Sequence, residues 1–198
     1  MYDRFDSALL VSPIPGGREW VVREPFAYST NISVSKPGFD PRIVVAERFK
    51  TDFASIPRIF WFFLPRWGKY GNASVVHDYL YWVKSTTRKE ADQIMYEAME
   101  DLKVGWLVRN AIYAALRLGG ATGWHRNTQD QQDPGYSRLM KPEAYQTLVG
   151  EQSLTIELLE SEGYQQRPPM RKRMFNQSDL DNDPDLSDID PDDPLPNG

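Results

Sequence analysis

Hydrophobic positions in the first third of the chain fall into short runs: Trp20-Val21-Val22, Phe26-Ala27-Tyr28, Ile32-Ser33-Val34 and Ile43-Val44-Val45. Pro25, Pro37-Gly38 and Pro41 interrupt them. Runs this short, rich in β-branched and aromatic residues and bounded by turn formers, predict strands of a small antiparallel sheet. An aromatic stretch from Ile59 to Phe63, between Pro57 and Pro65, predicts a loop or short helical turn packed into the core. The period then changes. Asn72 is a good N-cap before Ala73 to Val83, which predicts a helix there. Thr87-Arg88-Lys89-Glu90 has the form of a capping box and opens a second helix to about Leu102, with Ala91, Met95, Ala98, Met99 and Leu102 at helical spacing. A third helix is predicted from Trp106 to Leu118, stopped by Gly119-Gly120. Strands precede helices, so the fold class is α+β: a small antiparallel sheet followed by a three-helix unit.

Three regions follow from this pattern. Residues 1–126 form a compact α+β domain, and residues 127–177 form a C-terminal extension in which Pro142 to Glu162 can make one helix. Residues 178–198 are an Asp/Pro-rich tail, too poor in apolar surface to offset its chain entropy and expected to be disordered. The tail alters the meaning of the net charge. The whole chain is −5, but eight Asp lie in the tail with no Lys or Arg, so the remainder has 23 basic against 20 acidic residues. The body is mildly basic, and the tail is suited to a basic surface. At 198 residues there is room for one domain with a real core, and a second full domain is not expected. The absence of cysteine excludes disulfides, thiol nucleophiles and the usual structural zinc sites, and two histidines make a classical zinc enzyme improbable. The chain has no apolar run near the roughly 18 residues of a membrane span. Its N-terminus has no basic region followed by an apolar run, so no secretory signal is read and synthesis in a cytosol is expected.

One place carries pointed chemistry. His77 and Tyr81 lie four apart on the first helix and share a face, while Asp78 is turned about 100° away. If the second helix returns antiparallel after the short turn at 84–86, Asp92 comes level with His77 and Tyr81. A buried carboxylate that holds one imidazole nitrogen fixes the tautomer and raises the basicity of the other, as a general base for water requires. The same residues also fit a structural role, with Asp92 paired to Arg88 four positions earlier and His77 a hydrogen-bonded residue between helices.

The pattern His77-Asp78-x-x-Tyr81, then Arg88-x-x-x-Asp92, resembles phospholipase A2 enzymes, the bacterial forms most. The resemblance implies His77 as base, Asp92 as its orienter with Tyr81 beside it, and Asp78 as a calcium ligand. Carbonyls of the loop Trp67 to Gly71, those of Gly68 and Tyr70 among them, would complete the shell of six to eight oxygens that calcium takes. The chain departs from that family in lacking cysteines around the motif and in its short inter-helix loop. Membrane contact is implied only under this reading.

A second resemblance covers about Trp20 to Gly120. Thr51-Asp52-Phe53-Ala54-Ser55-Ile56-Pro57, Gly68-x-Tyr70, Ala73 to Tyr81 and Arg88-x-x-Ala91-Asp92 look like domain-of-unknown-function family 1353, carried by tailed phages and prophages. This implies phage origin and a role in the virion, with other virion proteins or further copies of the chain as partners. Two alternatives stand beside it: a phospholipase A2-like ester hydrolase, and a protein made in the bacterial cytoplasm that binds a host factor. Thr51 and Asp52 belong to the signature. Asp52 can serve as a second metal carboxylate or can cap the turn through the N–H groups of Ala54 and Ser55. Ser55 has no glycine-flanked elbow and is a poor nucleophile. Arg109, Tyr113 and Arg117 share one face of the third helix, followed by Trp124, His125 and Arg126. Such a set can bind single-stranded nucleic acid, but on so weakly basic a body an ordinary solvated face or an acidic partner is expected instead.

Overall fold

The computed structural model describes residues 4–16, 19–53, 70–150, 161 and 163. The architecture is α+β. Among the described residues five short strands come first: β1 (Val11–Pro13), β2 (Trp20–Val22), β3 (Phe26–Ser29), β4 (Arg42–Val45) and β5 (Lys50–Thr51). They form two antiparallel sheets where one was expected, a three-stranded sheet in the order β1-β2-β5 and a separate β3-β4 hairpin. Val11 pairs with Val22, Trp20 with Thr51 and Phe26 with Val45.

The expected strand at Ile32-Ser33-Val34 does not form. The backbone donors around it go to side chains instead of a ladder. Asn31 N–H donates to Glu97 Oε1 at 3.1 Å, Ile32 N–H to Thr30 Oγ1 at 3.1 Å, and Ser35 N–H to Glu90 Oε1 at 2.6 Å. Alternation of apolar and polar residues here records half-burial of Ile32 and Val34 against the core, not strand pairing.

Helices α1 (Gly71–Val83), α2 (Arg88–Asp101), α3 (Trp106–Gln132) and α4 (Pro142–Gly150) follow. α1 starts at Gly71 with Tyr70 at the cap position and no side-chain cap, so Asn72 lies inside the helix and does not cap it. α1 ends at Lys84 in the left-handed conformation, whose N–H returns to Leu80 O. The capping box is present in full: Thr87 accepts from Glu90 N–H, and the Glu90 carboxylate accepts from Thr87 N–H. The largest correction concerns α3. It continues through Gly119-Gly120 to Gln132 and crosses the boundary expected at residue 126.

Buried Val22, Phe26, Tyr28, Val45 and Phe49 from the strands pack with Val76 and Leu80 of α1, Ile94 and Met95 of α2, and Ile112 and Leu116 of α3. A smaller cluster joins Ile14 and Val21 to Met140, Ala144 and Tyr145. It anchors the chain after α3, where Lys50 N–H donates to Arg138 O at 2.6 Å and Met140 N–H to Arg48 O at 2.9 Å. Among the described residues no helix is long and apolar enough to cross a membrane. The aromatic stretch 59–63, Ser55, Gly68 and the acidic tail all lie outside the described residues.

Candidate functional site

The short turn between α1 and α2 makes the two helices return on each other, and Asp92 arrives beside His77. Its Oδ1 lies 2.8 Å from His77 Nε2 and accepts the Tyr81 hydroxyl at 2.6 Å. Oδ2 accepts from Arg117 Nη1 at 3.0 Å and from Arg88 Nη1 at 3.4 Å. His77 is 1% exposed, and Asp92 and Arg88 are fully buried. Asp92 therefore contacts both the histidine and Arg88.

A carboxylate that takes donors on both oxygens can only accept, so His77 Nε2 carries a proton toward it. In the neutral ring that makes Nδ1 the basic nitrogen. Burial, and then the neighbouring Asp92 carboxylate, push the Tyr81 hydroxyl well above its ordinary pKa, so it stays a donor. The Tyr81 ring lies 4.0 Å from the His77 ring, centroid to centroid, and meets Trp124 edge-on at 5.0 Å.

α3 completes the cluster through contacts that no local spacing reveals. Leu116 O and Arg117 O accept from Arg88 Nη1 at 3.2 and 3.4 Å. Gly120 passes so close that a Cβ there would stand 2.7 Å from the Tyr81 hydroxyl. Gly120 is thus a site of close helix approach, and the glycine pair does not stop the helix. Arg109 and Tyr113 are buried and Arg117 points to Asp92, so the face read as solvated or nucleic-acid-binding is turned into the molecule. Arg109 stacks over Tyr96 at 4.7 Å and reaches Glu100 at 3.1 Å.

The next residue on α1 serves another neighbourhood. Asp78, also buried, accepts from Thr51 Oγ1 at 2.6 Å, and Thr51 Oγ1 in turn accepts from Phe53 N–H at 3.2 Å. Arg138 lies 3.6 Å from Asp52. Burial alone would lower the Arg138 pKa, but the carboxylates of Asp52 and Asp78 more than offset this and hold it charged. The signature residues therefore separate into two clusters: Thr51, Asp52 and Asp78 near β5, and His77, Tyr81, Arg88 and Asp92 between the helices.

For calcium, the described oxygens have other engagements. The Tyr70 carbonyl accepts from both the N–H and the hydroxyl of Ser74, at 2.9 and 3.1 Å. Among the described residues no group of three or more metal-ligating side chains converges.

Residues 20–116 match the family described as "Protein of unknown function (DUF1353)". Over those residues the chain is similar to that family. Its span takes in both clusters except Arg117, Gly120 and Arg138, which lie beyond it. No curated protein and no solved structure matches the chain.

Proposed function

We propose that this chain is a component or accessory of a tailed-phage particle that works by contact, with the His77-Asp92 network as a structural tie between α1, α2 and α3. The observation that carries this reading is the outer face of α3. Leu107 is 74% exposed and Leu118 is 80% exposed, with Ala111 and Ala114 between them at helical spacing and Trp106 beside them at 57%. Large apolar side chains grouped on one helix face mark a surface that a partner covers. The polar network, by contrast, is buried apart from the edge of Arg117. The resemblance to a phage-borne family supplies the setting, with virion proteins or further copies as partners.

Mass spectrometry of particles purified from the phage or induced prophage that carries the gene tests the proposal. The chain is expected at a defined copy number. Its absence from clean particles overturns the reading and leaves an intracellular role.

A second reading, ester hydrolysis with His77 as base, is favoured by one specific geometry: Nε2 to Asp92 at 2.8 Å with Tyr81 on the same oxygen. This is the pairing that the phospholipase A2 resemblance implies. Purified protein is assayed on phospholipid vesicles with calcium or with chelator. Hydrolysis that needs calcium and disappears in His77→Ala would establish this reading against the contact one; no hydrolysis above background is expected.

A further inference from the structure

The guanidinium of Arg88 is fully buried, and only one of its ends is used. Nη1 serves Asp92, Leu116 O and Arg117 O. Nε and Nη2 have no hydrogen-bond partner. These two atoms form one edge of the planar group, and their N–H bonds run side by side, the geometry that matches the two oxygens of a carboxylate or phosphate group. Buried donors without acceptors are costly, and the cost is larger on a charged group. A whole unmatched fork is therefore different from a single stray donor.

The charge balance points the same way. Among the described residues Asp92 is the one carboxylate that Arg88 or Arg117 reaches. Two guanidiniums face one negative charge, with the His77 imidazole on the same carboxylate. The cluster has a surplus positive charge in a place where bulk water does not screen it. Arg117, with its side chain 12% exposed, is the arginine of the pair in contact with solvent.

We infer that the Nε/Nη2 edge of Arg88 is a binding site for an oxyanion, a carboxylate or phosphate group held by two parallel N–H donors. This goes beyond the contact reading and does not depend on it. The bound group supplies the missing acceptors and the missing negative charge together. It also ties its ligand to the junction of α1, α2 and α3, so occupancy stabilises the fold.

The experiment follows thermal unfolding of the full chain in inorganic phosphate and in acetate, each against chloride at equal ionic strength. A saturable rise in Tm with at least one oxyanion is expected, and the stronger of the two identifies the group. Arg88→Lys keeps the charge but loses the fork, and its response is expected to need about tenfold more anion. Equal responses from the two proteins overturn the proposal. Should Arg88→Lys fail to fold, 15N spectra of the arginine Nε–H groups in the unaltered chain decide the matter. A slowly exchanging Nε–H signal that shifts with phosphate or acetate, but not with chloride, supports the site. If neither anion moves Tm or any such signal, the fork holds water alone and the proposal fails.

Discussion

Asp92 Oδ1 lies 2.8 Å from His77 Nε2, and Arg117, from a third helix, donates to the other oxygen of the same carboxylate at 3.0 Å. One buried side chain thereby joins α1, α2 and α3. Removing it strands Arg88, and largely Arg117, as buried charges. Asp92→Ala is expected to cost about 3–5 kcal/mol, the usual loss when one partner of a buried pair is deleted. Tyr81→Phe removes one donor and leaves the charges as they are, so about 1–2 kcal/mol is expected. Urea unfolding of both variants measures the difference. Similar costs for the two would contradict the central role given to the carboxylate.

Two adjacent glycines of α3 should respond to the same change with opposite sign. Nothing lies within 4 Å of a Cβ built on Gly119, whereas one on Gly120 would stand 2.7 Å from the Tyr81 hydroxyl. Gly119→Ala gains helix propensity and is expected to stabilise by about 0.5–1 kcal/mol. Gly120→Ala gains the same propensity but must displace Tyr81 from Asp92, with an expected net cost of about 1–3 kcal/mol. Thermal or urea unfolding of the pair checks it, and a stabilised Gly120→Ala would disprove the close approach.

These glycines also show where the sequence stops being informative. The Thr87-Glu90 box and the His77, Tyr81 and Asp92 spacing are local codes, set by helical period and one short turn, and they are legible without the fold. Whether a Gly-Gly pair ends a helix depends on what lies against it, and Tyr81 is far away in sequence. Arg138 is not legible as a site member, and Arg117 is legible only as part of a basic face, for the same reason: their partners Asp52 and Asp92 are brought to them only by tertiary packing. The false strand at Ile32 to Val34 failed because Glu90 and Glu97 offered its backbone a competing set of acceptors.

Glu90 gives the fold an acid-sensitive tie. Burial pushes its carboxyl pKa up, but the N–H groups of Thr87 and Ser35 outweigh that and hold it below its ordinary value of 4.5. With the folded value depressed, the contribution to stability is complete above the ordinary value and is lost as pH falls through the folded one. Glu90→Gln keeps an oxygen for the capping box but cannot titrate. Its unfolding free energy is expected to lie below that of the unaltered chain at neutral pH and to converge with it in acid. Parallel pH profiles for the two proteins would show that the carboxylate charge contributes nothing.

The exposed face of α3 separates stability from function. Leu107 and Leu118 stand mostly in solvent, so they bury little on folding, and surface substitutions of this kind usually change stability by no more than about 0.5 kcal/mol. A partner that covers them would bury both leucines together with Trp106, and charges placed there would have to be desolvated on binding. Leu107→Glu combined with Leu118→Glu is therefore expected to leave the unfolding midpoint of the isolated chain nearly unchanged. In particles assembled with the variant, copy number by quantitative mass spectrometry is expected to fall at least about tenfold, corresponding to roughly 1.4 kcal/mol of lost contact. A full complement of the folded variant would show that the face is not the contact surface and would remove the main structural support for a virion role.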